Sequence, residues 1–180
     1  MSDTGTLVSR LGTIMQLAFV PADVPGALRY WTETMGVGPF FKLSNIVVDA
    51  ARYKGGPADI DFSVYIAYWG ELQIEIIEQH NDAPSIYSTW RGEGREGLHH
   101  VCIVVEDMAR ARAVCAEAGA AVMQEIWLPG GGEAIYVDAG GGSGGLIEMI
   151  CFPPDNYAFF DVMREAARGW DGSEPIRAVG

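Results

Sequence analysis

Basic side chains are scarce in this sequence: 12 Lys and Arg stand against 24 Asp and Glu, for a formal net charge of -12 at pH 7. A field of that sign repels polyanions and no basic run offsets it locally, so nucleic acid is not an expected partner. Cysteine is equally sparse. Cys102, Cys115 and Cys151 are far apart, odd in number and each set among apolar neighbours, which argues against a disulfide or zinc framework and predicts buried thiols in a reducing compartment. No apolar run reaches the ~20 residues that a bilayer-spanning helix needs. The opening Met1-Ser2-Asp3-Thr4-Gly5 lacks the basic stretch of a secretory signal. The expectation is a cytoplasmic protein with no membrane partner. Against these absences, 180 residues that are 49% hydrophobic suffice for a sizeable core, read as a single domain over 1–180.

What is present is organised around Gly97-Leu98-His99-His100-Val101-Cys102-Ile103-Val104-Val105-Glu106-Asp107, which holds two of the three histidines. Strand alternation places His100, Cys102 and Val104 on one face and His99, Val101, Ile103 and Val105 on the other. His99 is therefore expected to face the opposite layer from His100, although a one-residue slip of register would exchange them. Asp107 reads as the N-cap of a helix over 108–118 that ends at Gly119.

The same order occurs earlier in the chain. A strand over 13–20 leads to a helix capped by Asp23, with Pro25 in its first turn, which stops at Gly36. Strands are expected over 40–48, 60–69 and 71–78. His100 lies 84 positions after Gln16 and Asp107 lies 84 after Asp23, so Val20 meets Val104 and Ala27 meets Ala111 without a gap. The second copy continues with strands over 120–128, 133–138 and 146–151. There, Glu148 lies 73 positions after Glu75, each a carboxylate inside an apolar strand. The organisation is thus two repeated modules, 12–79 and 97–152, joined by a connector over 80–96 in which Asp82 and Pro84 are expected to begin a short helix. The glycine-rich run over 140–145 reads as a mobile hairpin loop, and a last helix is expected over 156–168.

Gln16, Glu75, His100 and Glu148 are polar residues at positions where alternation predicts an inner, apolar face. A lone buried carboxylate costs several kcal/mol or takes up a proton, so two at equivalent points of a repeat call for a shared partner. One nitrogen and three oxygen donors suit a single divalent ion such as Zn, Ni, Co, Mn or Fe, with water completing the shell. Taken singly, a strand histidine is more often a hydrogen-bonded core residue; the registration of polar residues in both copies is what favours a site. Trp31, Phe40, Phe41, Tyr65, Trp69 and Tyr136 are ordinary core packing or the walls of a pocket. Arg91 and Arg95 are either anion contacts or solvated charges.

The stretches Gln16–Val20, Gly36-Val37-Gly38-Pro39-Phe40, Leu72–Ile77, Gly97–Val101 and Gly145–Ile150 resemble the vicinal oxygen chelate superfamily, which holds glyoxalase I, methylmalonyl-CoA epimerase, extradiol dioxygenases and bleomycin-resistance proteins. The second and fourth resemble in particular the subgroup containing methylmalonyl-CoA epimerase. The resemblance implies an α+β fold of two βαβββ modules forming a cup-shaped mixed sheet, here with a C-terminal helix, and metal ligands at Gln16, Glu75, His100 and Glu148. It further implies an isomerase, epimerase or lyase that removes a proton next to a carbonyl and stabilises an enolate or enediolate, and a homodimer; a carboxylate able to loosen from the metal would be the general base, with Glu148 the first candidate and Glu75 the second. A metal-free drug-binding protein is the alternative. Having Gln16 where many relatives carry histidine counts against an iron-dependent ring-cleaving dioxygenase.

Overall fold

The computed structural model describes residues 8–142 and 145–179. Its elements run β1 (Ile14–Phe19), α1 (Val24–Arg29), β2 (Phe40–Leu43), β3 (Ala50–Tyr53), β4 (Gly56–Pro57), β5 (Phe62–Trp69) and β6 (Leu72–Gln79). They continue with α2 (Ile86–Gly92), β7 (Leu98–Val104), α3 (Met108–Glu117), β8 (Ala121–Leu128), β9 (Gly132–Asp138), β10 (Leu146–Cys151), α4 (Pro154–Ala167) and β11 (Ile176–Val179). All strands join one sheet in the order β11-β2-β5-β6-β1-β7-β10-β9-β8-β3-β4.

The centre of that order is symmetric. β1 and β7 pair antiparallel, and each is flanked by a parallel partner, β6 on β1 and β10 on β7. Alternation then sorts side chains between two layers. Ile74 and Ile76 of β6 pack with Val24, Leu28 and Trp31 beside α1, while Ile103 of β7 and Met149 of β10 pack with Met108, Ala111 and Cys115 of α3. The opposite face carries Ala18, Ile77, Cys102 and Ile150 into a third cluster with Ile86, Tyr87 and Trp90 of α2. Leu43 of β2 and Ile126 of β8 stand far apart in the strand order yet line one cavity, so the sheet must curve around it. Both α1 and α3 are held by the expected caps: Asp23 accepts from the Gly26 amide at 2.9 Å and Asp107 from that of Arg110 at 3.0 Å.

Several local expectations need correction. The strand expected over 40–48 stops at Leu43; the chain then crosses to the far edge, where β3 pairs with β8. The connector helix is begun by Ser85, which accepts from the Tyr87 and Ser88 amides in a capping box, and Asp82 has no part in it. The first helix widens into a π-turn over Tyr30–Thr34 before Gly36. β11, which pairs with β2 on the edge of the sheet, was not expected at all. Cys102 and Cys115 are buried and free and Cys151 half-buried and free. Of the glycine-rich run between β9 and β10, Ser143 and Gly144 lie outside the described residues. Among the described residues no helix is long and apolar enough to cross a membrane.

Candidate metal centre

The four central strands place the candidate residues in two neighbouring rows. Glu75 and His100 both pair with Ala18, one from each side, and Gln16 and Glu148 both flank Cys102. Ala18 and Cys102 are themselves equivalent in the repeat, each fully buried, and their small side chains leave room above the sheet where the longer ones converge. One ligand-type atom each from Glu75, His100 and Glu148 lies within 4.8 Å of the others. Nε2 of His100 is 3.3 Å from Oε2 of Glu148 and 3.8 Å from Oε2 of Glu75. Gln16 lines the same cavity as the two glutamates.

Two features of the hydrogen bonding fit a cation. Nε2 of Gln16 donates to Oε1 of Gln73 at 2.5 Å, and Gln73 in turn donates to the Tyr68 hydroxyl at 2.9 Å, which holds the amide by its nitrogen. The Gln16 Oε1 that this leaves is buried without a partner, and so is Nε2 of His100. Orphaned buried acceptors are costly, and here two stand beside two buried carboxylates with no Lys or Arg in the cavity wall among the described residues. Glu75, His100 and Glu148 lie close enough together to hold a divalent ion, and one imidazole nitrogen with carboxylate oxygens is a donor set such ions accept.

His99 departs from the sequence expectation. Leu98 and His100 pair with the adjacent residues Phe19 and Ala18, so His99 is an extra residue in β7, a bulge that turns its ring toward His100 instead of the outer layer. The matching irregularity in β1 falls at Met15, 84 positions earlier, so a bulge precedes the candidate ligand in both halves. Nδ1 of His99 and Nδ1 of His100 are 2.8 Å apart. With a cation on Nε2 of His100, its Nδ1 would carry the proton and donate to His99. Burial, and then the neighbouring His100, lower the His99 pKa to about 3, so this ring is a neutral acceptor across the physiological range. Trp90 of α2 meets it edge-on and Tyr87 at a tilt, with ring centroids 5.0 and 5.7 Å away.

The carboxylates differ. Burial, followed by the charge of Glu148, pushes the Glu75 pKa well above the ordinary range, with partial relief from a hydrogen bond to Gln16. Burial acts to raise Glu148 as well, but in the ion-free protein the close approach and charge of a protonated His100 outweigh it, helped by hydrogen bonds from Tyr136 and Cys102, and its pKa lies below the ordinary value. The Tyr87 hydroxyl donates to that of Tyr136 at 2.8 Å, leaving the Tyr136 proton for Glu148. Tyr136 pairs directly with Glu148 across β9 and β10, the one residue of the aromatic inventory that supports the centre. Trp31, Phe40 and Tyr65 are outer-layer core, Trp69 is exposed, and Phe41 packs under Arg177. Arg95 stacks over Trp90 beside a separate cavity, away from the carboxylates.

The profile of the glyoxalase/bleomycin resistance protein/dioxygenase superfamily matches residues 15–137. The chain belongs to that superfamily. No curated protein sequence matches it significantly. Among solved structures it is similar to a selenomethionine-labelled methylmalonyl-CoA epimerase, at 22% identity with a TM-score of 0.52, over 79% of this chain and 97% of that one. It is also similar to methylmalonyl-CoA epimerase from Mycobacterium tuberculosis, at 14% identity with a TM-score of 0.55, over 84% and 96% of the two chains. A Streptomyces coelicolor methylmalonyl-CoA epimerase variant in complex with 2-nitronate-propionyl-CoA is similar at 15% identity and a TM-score of 0.52, over 78% and 94%. At these identities the likeness is one of fold.

Proposed function

We propose that the protein is a divalent-metal-dependent isomerase, epimerase or lyase that moves a proton on a carbon next to a carbonyl. The observation that carries this reading is the buried cluster of Glu75, His100 and Glu148 beside the unpartnered Gln16 Oε1, at the wall of a cavity of about 290 Å³. Gln16, Glu75, His100 and Glu148 would hold the ion. When bound it supplies Lewis acidity, polarising a substrate carbonyl oxygen and making the adjacent C–H more acidic.

The remaining work falls to the chain. Glu148 and Glu75 both face the cavity, so each can reach a carbon seated there. Glu148, beside the Tyr136 hydroxyl, is the first candidate to take the proton; Glu75 is the second and can return a proton to the same or a neighbouring carbon. Tyr136, its own proton held by burial and then by the Glu148 charge, keeps that carboxylate oriented. His99 fixes the tautomer and plane of His100.

The test is solvent-deuterium incorporation into candidate 2-methyl acyl-CoA esters, hemithioacetals and simple ketones, with metal content measured on the same preparation. Glu148→Gln is expected to lower incorporation by at least about 100-fold while circular dichroism stays close to wild type. An unchanged rate in that variant removes Glu148 from the mechanism, and protein that takes up no divalent ion removes the proposal.

A further inference from the structure

The cavity above the metal centre is built almost wholly of hydrocarbon. β2 and the crossing segment after it contribute Leu43, Ile46 and Val47, the sheet contributes Met15, Phe62, Val64, Ile66, Ile126, Leu128 and Ile150, and α4 closes the wall with Phe159 and Phe160. Apart from Gln16, Glu75 and Glu148, its one polar lining side chain among the described residues is Asn156, which is exposed at the start of α4. Among the described residues no Lys or Arg lines the cavity. Lys42 sits over the Tyr65 ring, Arg52 over Trp127 and Arg164 over Tyr68, while Lys54 and Arg95 line a separate cavity of about 180 Å³ beside Trp90.

Charge arithmetic then restricts the occupant. Two carboxylates and one divalent ion are formally neutral, so an anionic substituent brought deep into the cavity meets no balancing charge, inside a protein that is already strongly acidic. At about 290 Å³ the space also lies just below the ~300–1,000 Å³ typical of small-molecule sites. Resting on the metal-centre reading above, we infer that the substrate is a small carbonyl compound, uncharged and mainly hydrocarbon in the part that enters the cavity, and that the site discriminates against one bearing a free carboxylate there. Phe159, Phe160 and Val47, none of them on the strands that carry the ligands, are the residues that set this preference.

The experiment compares matched probes on the full chain. On protein loaded with one divalent ion, isothermal titration is run with benzohydroxamic acid, a chelator uncharged at neutral pH, and with 4-carboxybenzohydroxamic acid, which keeps the chelating group and adds the charge. The carboxylated probe is expected to bind on the order of 100-fold more weakly. Val47 is 70% exposed, so Val47→Arg is compatible with the fold and is expected to narrow the gap at least about tenfold by supplying the missing cation. Equal affinities in wild type, or a preference for the carboxylated probe, overturn the inference and leave the metal reading standing. If instead no ion binds, the metal reading falls and the preference is decided on the ion-free protein with acetophenone and 4-acetylbenzoic acid, which do not depend on chelation. A thermal shift from acetophenone alone supports the apolar selection, and a shift from neither or from both overturns it.

Discussion

Glu75→Gln separates a functional carboxylate from a structural one, because the two roles move stability in opposite directions. Glu75 is buried with at least one oxygen within 4.8 Å of a Glu148 oxygen. At that distance and an effective dielectric of ~20, two negative charges repel by about 3 kcal/mol. The metal-free protein relieves part of this by protonating Glu75, whose pKa burial and Glu148 both raise. The amide has the same shape and no charge, and its nitrogen can donate to the orphaned Oε1 of Gln16. Metal-free Glu75→Gln is therefore expected to be more stable than wild type by ~1–3 kcal/mol at pH 7, or roughly 2–4 °C in Tm for each kcal/mol in a chain of this size. Because the folded protein holds the Glu75 proton more tightly than the unfolded chain, wild-type stability falls as pH climbs from the ordinary value of 4.5 through the raised one. The advantage of the variant should shrink toward zero as pH is lowered to that ordinary value. The metal response moves the other way. An ion at 100 times its Kd stabilises the fold by about 2.7 kcal/mol, and the variant, short of one anionic ligand, should lose most of that gain. The assay is thermal and urea unfolding of chelator-stripped protein, with and without Zn²⁺ or Co²⁺, between pH 4.5 and 8. A variant that is less stable than wild type without metal and equally stabilised by it would refute the reasoning and make Glu75 a packing residue.

Three further outcomes can be checked with the same protein. Metal uptake should release a proton from Glu75 wherever that carboxyl is protonated, so affinity should rise with pH, and titration heats should vary with buffer ionisation enthalpy; buffer-independent heats would contradict this. Tyr87→Phe removes the buried hydroxyl that donates to Tyr136 at 2.8 Å and should cost about 1 kcal/mol in urea unfolding, with metal affinity shifted less than about tenfold. At Gly38 an added Cβ would come within 2.7 Å of the Trp170 ring, so Gly38→Ala should displace Trp170, quicken amide exchange over Ile176–Val179 and cost ~1–3 kcal/mol, with no change in metal affinity.

The candidate donors were legible because a strand has a period of two and the chain repeats itself. Gln16 against His100 and Glu75 against Glu148 could be matched by counting, and Asp23 and Asp107 cap their helices through contacts confined to a few residues. Local chemistry of that kind is written in adjacent positions. His99 was misplaced for the opposite reason: alternation assumes regular pairing, and the bulge that turns its ring to His100 exists only through the register between β1 and β7. The departure of the chain after Leu43, from one edge of the sheet to the other, and the return of β11 onto β2 likewise depend on partners far away in sequence, which no local pattern records. So the residue types able to grip a cation, and their symmetry, were determined by sequence alone. Their convergence, the second imidazole behind His100 and the hydrocarbon walls contributed by α4 and the crossing segment were decided by the tertiary structure, because each depends on distant strands pairing and curving around a common space.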